Sequence, residues 1–163
     1  MPDAIDAQLV KVADAATAQI NAAVADNYFV GHQFKAKRSW AGWDLEITGD
    51  TCTRVDVRGV RYDTSELDDR GSIDYQCSIE IYIRQEFGEA DRGQDRKVRT
   101  EVIDKLVRLT EQLHELFVEN PETDDDIIWS ESRILAVADP QHMANDQYFG
   151  AVRVTFDAPK ELE

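Results

Sequence analysis

The stretch "SIDYQCSIEIYIRQEF", residues 72–87, alternates apolar and polar side chains along almost its whole length. One set of alternate positions is apolar: Ile73, Tyr75, Cys77, Ile79, Ile81 and Ile83. The other set is mostly polar: Gln76, Ser78, Glu80, Tyr82 and Arg84. A period of two is typical of a β-strand that buries one face, because successive side chains point to opposite sides of a sheet. We therefore expect a long strand over residues 73–87.

The neighbouring segments extend this strand into a sheet. Residues 53–61 also alternate, with Gly59 marking a bulge, and the polar loop 64–72 joins them to the long strand as an antiparallel hairpin. Two later segments, 133–138 and 149–157, have the composition and spacing of further strands.

Two other segments have a helical period. Over residues 4–25 and 95–119, apolar side chains recur every three or four positions, which places them on one stripe of a helix. The order of elements predicts an α+β fold, with an antiparallel sheet of about four strands flanked by two main helices. No linker, repeat or low-complexity segment interrupts the pattern, so we expect residues 1–163 to form a single domain.

The composition restricts the classes of function. The chain has 33 acidic and 18 basic residues, and its net charge of −15 argues against a conventional nucleic-acid binder. This charge serves solubility, or it keeps a surface close to DNA without binding it. No apolar run is long enough to span a membrane and no secretory signal is present, so we expect synthesis in a cytoplasm and no membrane partner. Cys52 and Cys77 belong to no local metal or redox motif, which favours two reduced structural cysteines.

Motifs that carry chemistry are missing from the sequence. His32, His114 and His142 lie far apart and in no metal-binding spacing. The acidic segment 123–128 lacks the glycine and the distal glutamate of a calcium loop. We therefore predict a protein without catalytic residues, metal or cofactor. An enzyme would have to assemble its site from scattered residues that carry no signature.

Aromatic residues stand out in the weakly periodic segment 32–52. Trp40 and Trp43 lie three positions apart, and we interpret them as anchors that are buried in the core or in a subunit interface. A platform on which a ligand stacks is the alternative interpretation.

Four segments follow one another in a distinctive order: "FKAKRSWAGWDLEITGDTCTRVDVRGVRYD" (34–63), the long strand, "VIDKLVRLTEQLHELFVENP" (102–121) and "DPQHMANDQYFGAVRVTFDAP" (139–159). In pattern and order they resemble the small tail terminator and tail-completion proteins of tailed bacteriophages. The most specific part is the ending, where a turn at Pro140 and His142-Met143 precede Phe149 and the strand "VRVTF". The resemblance covers roughly residues 34–157.

This resemblance implies a structural protein of the virion, located at the tail and neck. Proteins of this family form a ring, usually hexameric, which caps the finished tail tube, stops its polymerisation and offers a surface to the neck proteins of the head. The expected partners are therefore further copies of the chain, the tail tube protein and a head-completion or neck protein. Genomic DNA would pass through the lumen without specific binding, and no bond would be made or broken.

A ring with a negatively charged lumen suggests two groups of functional residues. The densest acids lie in two loops and are expected at the lumen or its rim: Glu66, Asp68, Asp69, Asp124, Asp125 and Asp126. The expected subunit-interface residues are Trp40, Trp43, Phe149, Val152, Val154 and Phe156. The last four lie on the final strand, which we expect to close the sheet and to pair or pack across subunits.

Three other classes of function remain open, of which the third is an adaptor protein unrelated to phages. The first is another phage ring or tube component, either a head-completion protein or the tail tube protein, which would stack on itself into long polymers. The second is a small cytoplasmic enzyme or ligand-binding domain, which requires a deep pocket and no ring.

Overall fold

A computed structural model describes residues 7–40, 52–64, 71–124 and 126–161. Within these ranges the helices are α1 (Gln8–Ala25), α2 (Thr100–Glu119) and α3 (Pro140–Ala144), with a short 3-10 helix at Glu89–Asp91. The strands are β1 (Lys37–Arg38), β2 (Arg54–Thr64), β3 (Ser72–Ile73), β4 (Tyr75–Glu86), β5 (Glu122–Asp124), β6 (Ile127–Ala136), β7 (Gln147–Asp157) and β8 (Lys160–Glu161).

The described strands form one large sheet and one small ribbon. The sheet has six strands in the order β1-β2-β4-β7-β6-β5, and β3 pairs with β8 in a separate two-stranded ribbon. β1 pairs in parallel with β2, whereas the other neighbours in the sheet are antiparallel, so the sheet is mixed. It curls into the shape of a half-barrel.

The predicted fold class, an antiparallel sheet of about four strands flanked by two main helices, is therefore wrong. Three of the four longest strands, β2, β4 and β7, lie close to the predicted segments, whereas β6 begins at Ile127, six residues before the predicted start at 133. The ladder shifts register between Gly59 and Arg61, where a bulge was predicted. The additional strands β1 and β5 come from the weakly periodic segment 32–52 and from an acidic segment that was expected to be a loop, and α3 comes from the segment that precedes β7. Short edge strands are held by backbone hydrogen bonds, so they require no alternation of side chains.

Both long helices contact the same face of the sheet. α1 packs on β2 and β4, whereas α2 packs on β6 and β7. The helix-facing side chains of the two central strands are buried and form the middle of the core: Cys77, Ile79, Ile81, Ile83, Tyr148, Val152, Val154 and Phe156. The alternation of β4 thus divides the sheet into a face covered by helices and a second, polar face.

Two glycines allow the helices to approach the strands closely. A Cβ atom added at Gly59 would lie 2.7 Å from Cγ of Leu9 on α1, and one added at Gly150 would lie 2.7 Å from Oγ1 of Thr110 on α2. The Thr110 hydroxyl donates to the carbonyl of Leu106 at 3.0 Å and lies 2.8 Å from the Tyr148 hydroxyl. Since both hydroxyls are buried, this bond between α2 and β7 satisfies polar groups that water cannot reach.

We predict that Gly150→Ala destabilises the fold by about 1–3 kcal/mol, because the added methyl group must displace Thr110 or the ring of Tyr148. Urea unfolding of the single variant measures this loss. In a Thr110→Ala background, which removes the nearest atom, the same substitution should cost less. Equal losses in the two backgrounds would contradict the close approach at Thr110.

Candidate functional site

The second face of the sheet, which faces away from α1 and α2, carries a row of charged side chains. Arg58, Glu80, Arg153 and Arg133 occupy paired positions on β2, β4, β7 and β6. Glu80 lies 3.6 Å from Arg153, and Arg133 lies 3.6 Å from Glu131 on its own strand. Ion pairing within the row reduces the positive charge that this face offers to phosphate groups.

A buried ion pair lies beside this row. Nη2 of Arg84 donates to Oδ2 of Asp56 at 2.7 Å, and the two side chains are 2% and 10% exposed. A guanidinium and a carboxylate taken out of water require each other, since either one alone would be an uncompensated buried charge. The pair therefore joins β2 to β4 and fixes one end of the polar face.

An aromatic cluster covers the adjacent part of the same face. The Phe149 ring stacks on His142 at a centroid distance of 4.6 Å and on Tyr82 at 5.9 Å. His142 belongs to α3, whose cap is Asp139: the Asp139 carboxylate accepts from the backbone N–H of Gln141 at 2.9 Å. These contacts hold α3 against β7. The Phe149 ring, which was predicted to lie in a subunit interface, therefore contacts residues of its own chain.

An acidic groove lies at one end of the sheet. It has a volume of about 610 Å³, and its lining includes four carboxylates, those of Asp63, Asp74, Asp126 and Asp157. All four residues are exposed to solvent. Within residues 7–40, 52–64, 71–124 and 126–161, no three His, Cys, Asp or Glu side chains come close enough together to hold a metal ion. The groove is therefore a negatively charged surface, with no metal centre among these residues.

Only part of the predicted lumen or rim group can be placed. Asp126 lines the groove, and Asp124 is an exposed residue at the end of β5. The remaining candidates lie outside the described residues: Glu66, Asp68, Asp69 and Asp125. The described residues that precede them are Thr64, which ends β2 and lines the groove, and Asp124, which ends β5.

The predicted interface residues have different environments. Val152, Val154 and Phe156 are completely buried between the sheet and the helices, so their side chains have no surface to offer a second subunit in this fold. Trp40 is 52% exposed. Trp43 lies outside the described residues.

The exposed apolar residues at the outer edge of the sheet were not predicted from the sequence. Ile134, Leu135 and Val137 are 37%, 42% and 40% exposed. β5 pairs with β6 only at Ile127 and Ile128, so the rest of this edge has no strand partner among the described residues. The available signal was the run "ILAV" at 134–137, which places apolar side chains on both faces of one strand. We refer to residues 129–137 as the β6 edge.

A serine and a histidine that are remote in sequence meet beside this edge. The Ser132 hydroxyl lies 2.7 Å from Nδ1 of His114, which connects β6 to α2. An activated nucleophile needs such a base and also a third group that orients the base. Among the described residues His114 makes no further side-chain hydrogen bond or ion pair, and neither residue lines the acidic groove. The pair therefore acts as a link between helix and strand.

The thiol of the buried cysteine is unreactive at neutral pH. Cys77 lies in the core, and burial raises the pKa of its thiol to about 11, so the thiol stays protonated at neutral pH. Cys52 is exposed, and neither cysteine forms a disulfide. That both cysteines are reduced stays a prediction.

Comparisons with known proteins give no family for this chain. No protein-family model matches the sequence, and no curated protein matches it significantly. In the part of the chain that the structure describes, no helix combines the length and the apolar character needed to cross a membrane.

Proposed function

We propose that this protein is a phage tail terminator, a structural virion protein whose copies form a ring on the finished tail tube. The ring ends tube polymerisation, joins the tail to the neck of the head and lets DNA pass through its lumen. The order of segments that resembles this family supports the proposal, and so does the form of the described surface.

The observation that carries the proposal is the exposed apolar group of the β6 edge. Soluble monomers usually protect a sheet edge with charges, proline or a covering element, because an exposed apolar edge invites association. Here Ile134, Leu135 and Val137 remain exposed on a strand edge that is largely unpaired among the described residues. A ring subunit buries such an edge against its neighbour. The same apolar edge that would promote aggregation of a monomer therefore supplies the subunit contact in a ring.

The acidic end of the sheet suits the rim of a channel for DNA. Asp63, Asp74, Asp126 and Asp157 gather there. Two of them stand close in sequence to the densest acids: Asp63 precedes the run 66–69, and Asp126 ends the run 124–126. A duplex that must slide should meet no row of unpaired cations, because each contact between a phosphate and a Lys or Arg adds to binding. Carboxylates at the rim repel the backbone and keep the duplex mobile.

Imaging of the purified protein, alone and with tail tubes of the same phage, tests the function. We expect closed rings from the protein alone at high concentration and high salt, since screening weakens the repulsion between subunits of charge −15 over a Debye length of about 3 Å at 1 M salt. With tubes, we expect one ring at one end and no further growth when tube subunits are added.

Three other outcomes would contradict the proposal. Long self-stacked polymers would identify a tube protein, and rings that bind to heads but not to tubes would identify a head-completion protein. A chain that stays monomeric at high salt and high concentration, and that leaves tubes uncapped, would contradict the ring and its function together.

A further inference from the structure

We propose that the β6 edge binds the opposite edge of the sheet in a second copy of the chain, head to tail. That opposite edge, the β1 edge, consists of Lys37, Arg38 and Trp40. This inference rests on the proposed function in one respect, because it identifies the contact from which the ring would be built.

The β6 edge has the properties of a surface that is covered in the assembled state. β6 contains no proline and no lysine, the residues with which proteins commonly block an exposed edge. Its exposed apolar residues are Ile134, paired with Val152 of the helix-covered face, and Leu135, which follows it, and the exposed Val137 comes directly after β6. The acids on the same side of the sheet are exposed: Glu122, Asp124, Asp126 and Glu131.

The β1 edge offers the complementary chemistry. Lys37 and Arg38 are exposed, and Lys35 just before them is also exposed. The Arg38 guanidinium lies 5.6 Å from the centroid of the Trp40 ring, and its Nε donates to Asp14 on α1 at 2.6 Å. Arg38 is thus held in place beside a large exposed aromatic ring. Tryptophan and arginine are the residue types that contribute most often to the energetic centre of an interface.

Charge favours contact between unlike edges. Among the described residues, the side of the sheet with β5 and β6 carries four exposed acids against one exposed base, Arg133, whereas residues 35–38, which include β1, carry three exposed bases. Two β6 edges placed together would bring these acids close to one another, but a β6 edge against a β1 edge brings acids to bases. The Trp40 ring can then cover one exposed apolar side chain of the β6 edge, that of Leu135.

The position of the two edges determines the form of the assembly. β1 and β5 lie at opposite ends of the strand order, with β6 next to β5. A subunit that uses one edge therefore still presents the other to the next subunit. Such heterologous contacts form a closed ring when the rotation between neighbours closes.

Mixing two variants that are each blocked at one edge tests this arrangement. The first variant, Leu135→Lys, places a cation on the β6 edge. The second is the double variant Lys37→Glu, Trp40→Ala, which reverses one positive charge on the β1 edge and removes its aromatic ring. All three side chains are exposed, so the folded monomer should persist, which circular dichroism can verify. Val30→Lys is the matched control, because Val30 is an exposed apolar residue in a loop that contacts α2 through Tyr28 and His32.

We expect native mass spectrometry to show rings for the wild type and the control, and only monomers of about 18.5 kDa for each blocked variant. A mixture of equal amounts should give dimers and nothing larger, because one intact β6 edge meets one intact β1 edge. Monomers in the mixture would overturn the head-to-tail contact. A dimer formed by the Lys37→Glu, Trp40→Ala variant alone would instead indicate that β6 edges pair with each other.

The same variants separate a failure of this inference from a failure of the proposed function. Blocked variants that still form rings and cap tubes would overturn the interface and leave the terminator function in place. A wild type that neither assembles nor caps tubes would overturn both. If the wild type assembles only on tubes, the inference requires that each blocked variant lose capping while Val30→Lys retains it.

Discussion

Replacing Arg84 by methionine should lower the free energy of unfolding by about 3–5 kcal/mol, because the substitution leaves a buried carboxylate without its cation. Nη2 of Arg84 lies 2.7 Å from Oδ2 of Asp56, and both side chains are almost fully removed from solvent. Methionine fills part of the space with apolar atoms but cannot compensate a charge. Urea unfolding at neutral pH measures the loss.

Two comparisons make this prediction specific. Arg61→Met breaks an ion pair with Asp63 at 3.2 Å on the same hairpin, but both partners are exposed, so we expect a change within about 0.5 kcal/mol. Adding Asp56→Leu to Arg84→Met should recover most of the lost stability, because an apolar pair can replace a buried ion pair at little cost. A loss below about 1 kcal/mol for Arg84→Met alone would show that the carboxylate is hydrated or compensated by other groups.

The long elements could be predicted from the sequence because each has a strong period of its own. β4 (Tyr75–Glu86) lies within the segment whose alternation predicted it, and α2 (Thr100–Glu119) lies within the predicted helix. The predicted start of α2 at residue 95 was too early. Residues 92–98 form an irregular turn instead, with a bridge between Arg92 and Val98 and a positive φ of 63° at Arg96. Local pattern predicts where an element exists better than where it begins.

The fold class was wrong because the sheet is completed by contacts that leave no pattern. β1 is two residues long and pairs in parallel with Asp56 and Val57, which lie 19 positions further along the chain. β5 consists of polar residues and pairs with the start of β6. In both, the backbone supplies the hydrogen bonds while the side chains remain exposed or half-buried. Hydrophobic periodicity does not report such pairing.

The candidate site was predictable in composition but not in position. The density of acids in residues 66–69 and 124–126 was visible in the sequence, whereas the gathering of Asp63, Asp74, Asp126 and Asp157 at one end of the sheet depends on strand order. The alternation along β7 predicted that its side chains point to two different faces of the sheet. It did not predict which of these faces the helices cover. For that reason Val152 and Val154 were assigned to a subunit interface, although they lie in the core.

Phe156→Ala decides between these two roles for β7, and we expect a loss of about 3–5 kcal/mol in the stability of the monomer. Phe156 is fully buried, and its ring meets the ring of Phe117 on α2 edge-to-face at a centroid distance of 5.5 Å. It is paired with Cys77 on β4 and with Trp129 on β6, so truncation opens a cavity where α2 meets the centre of the sheet. The surrounding strands cannot collapse into such a space without losing their own register.

The measurement should be made by chemical unfolding at a protein concentration where the wild type is monomeric, so that subunit contacts do not contribute. Trp40→Ala is the matched control: it also removes a large aromatic side chain, but from an exposed position, and it should change monomer stability by no more than about 0.5 kcal/mol. The effects on assembly should be reversed: Trp40→Ala should weaken ring formation more than Phe156→Ala does, because Trp40 belongs to the proposed interface. A Phe156→Ala variant with a stable monomer and no assembly would contradict this placement. It would show that the apolar face of β7 lies between subunits and not in the core.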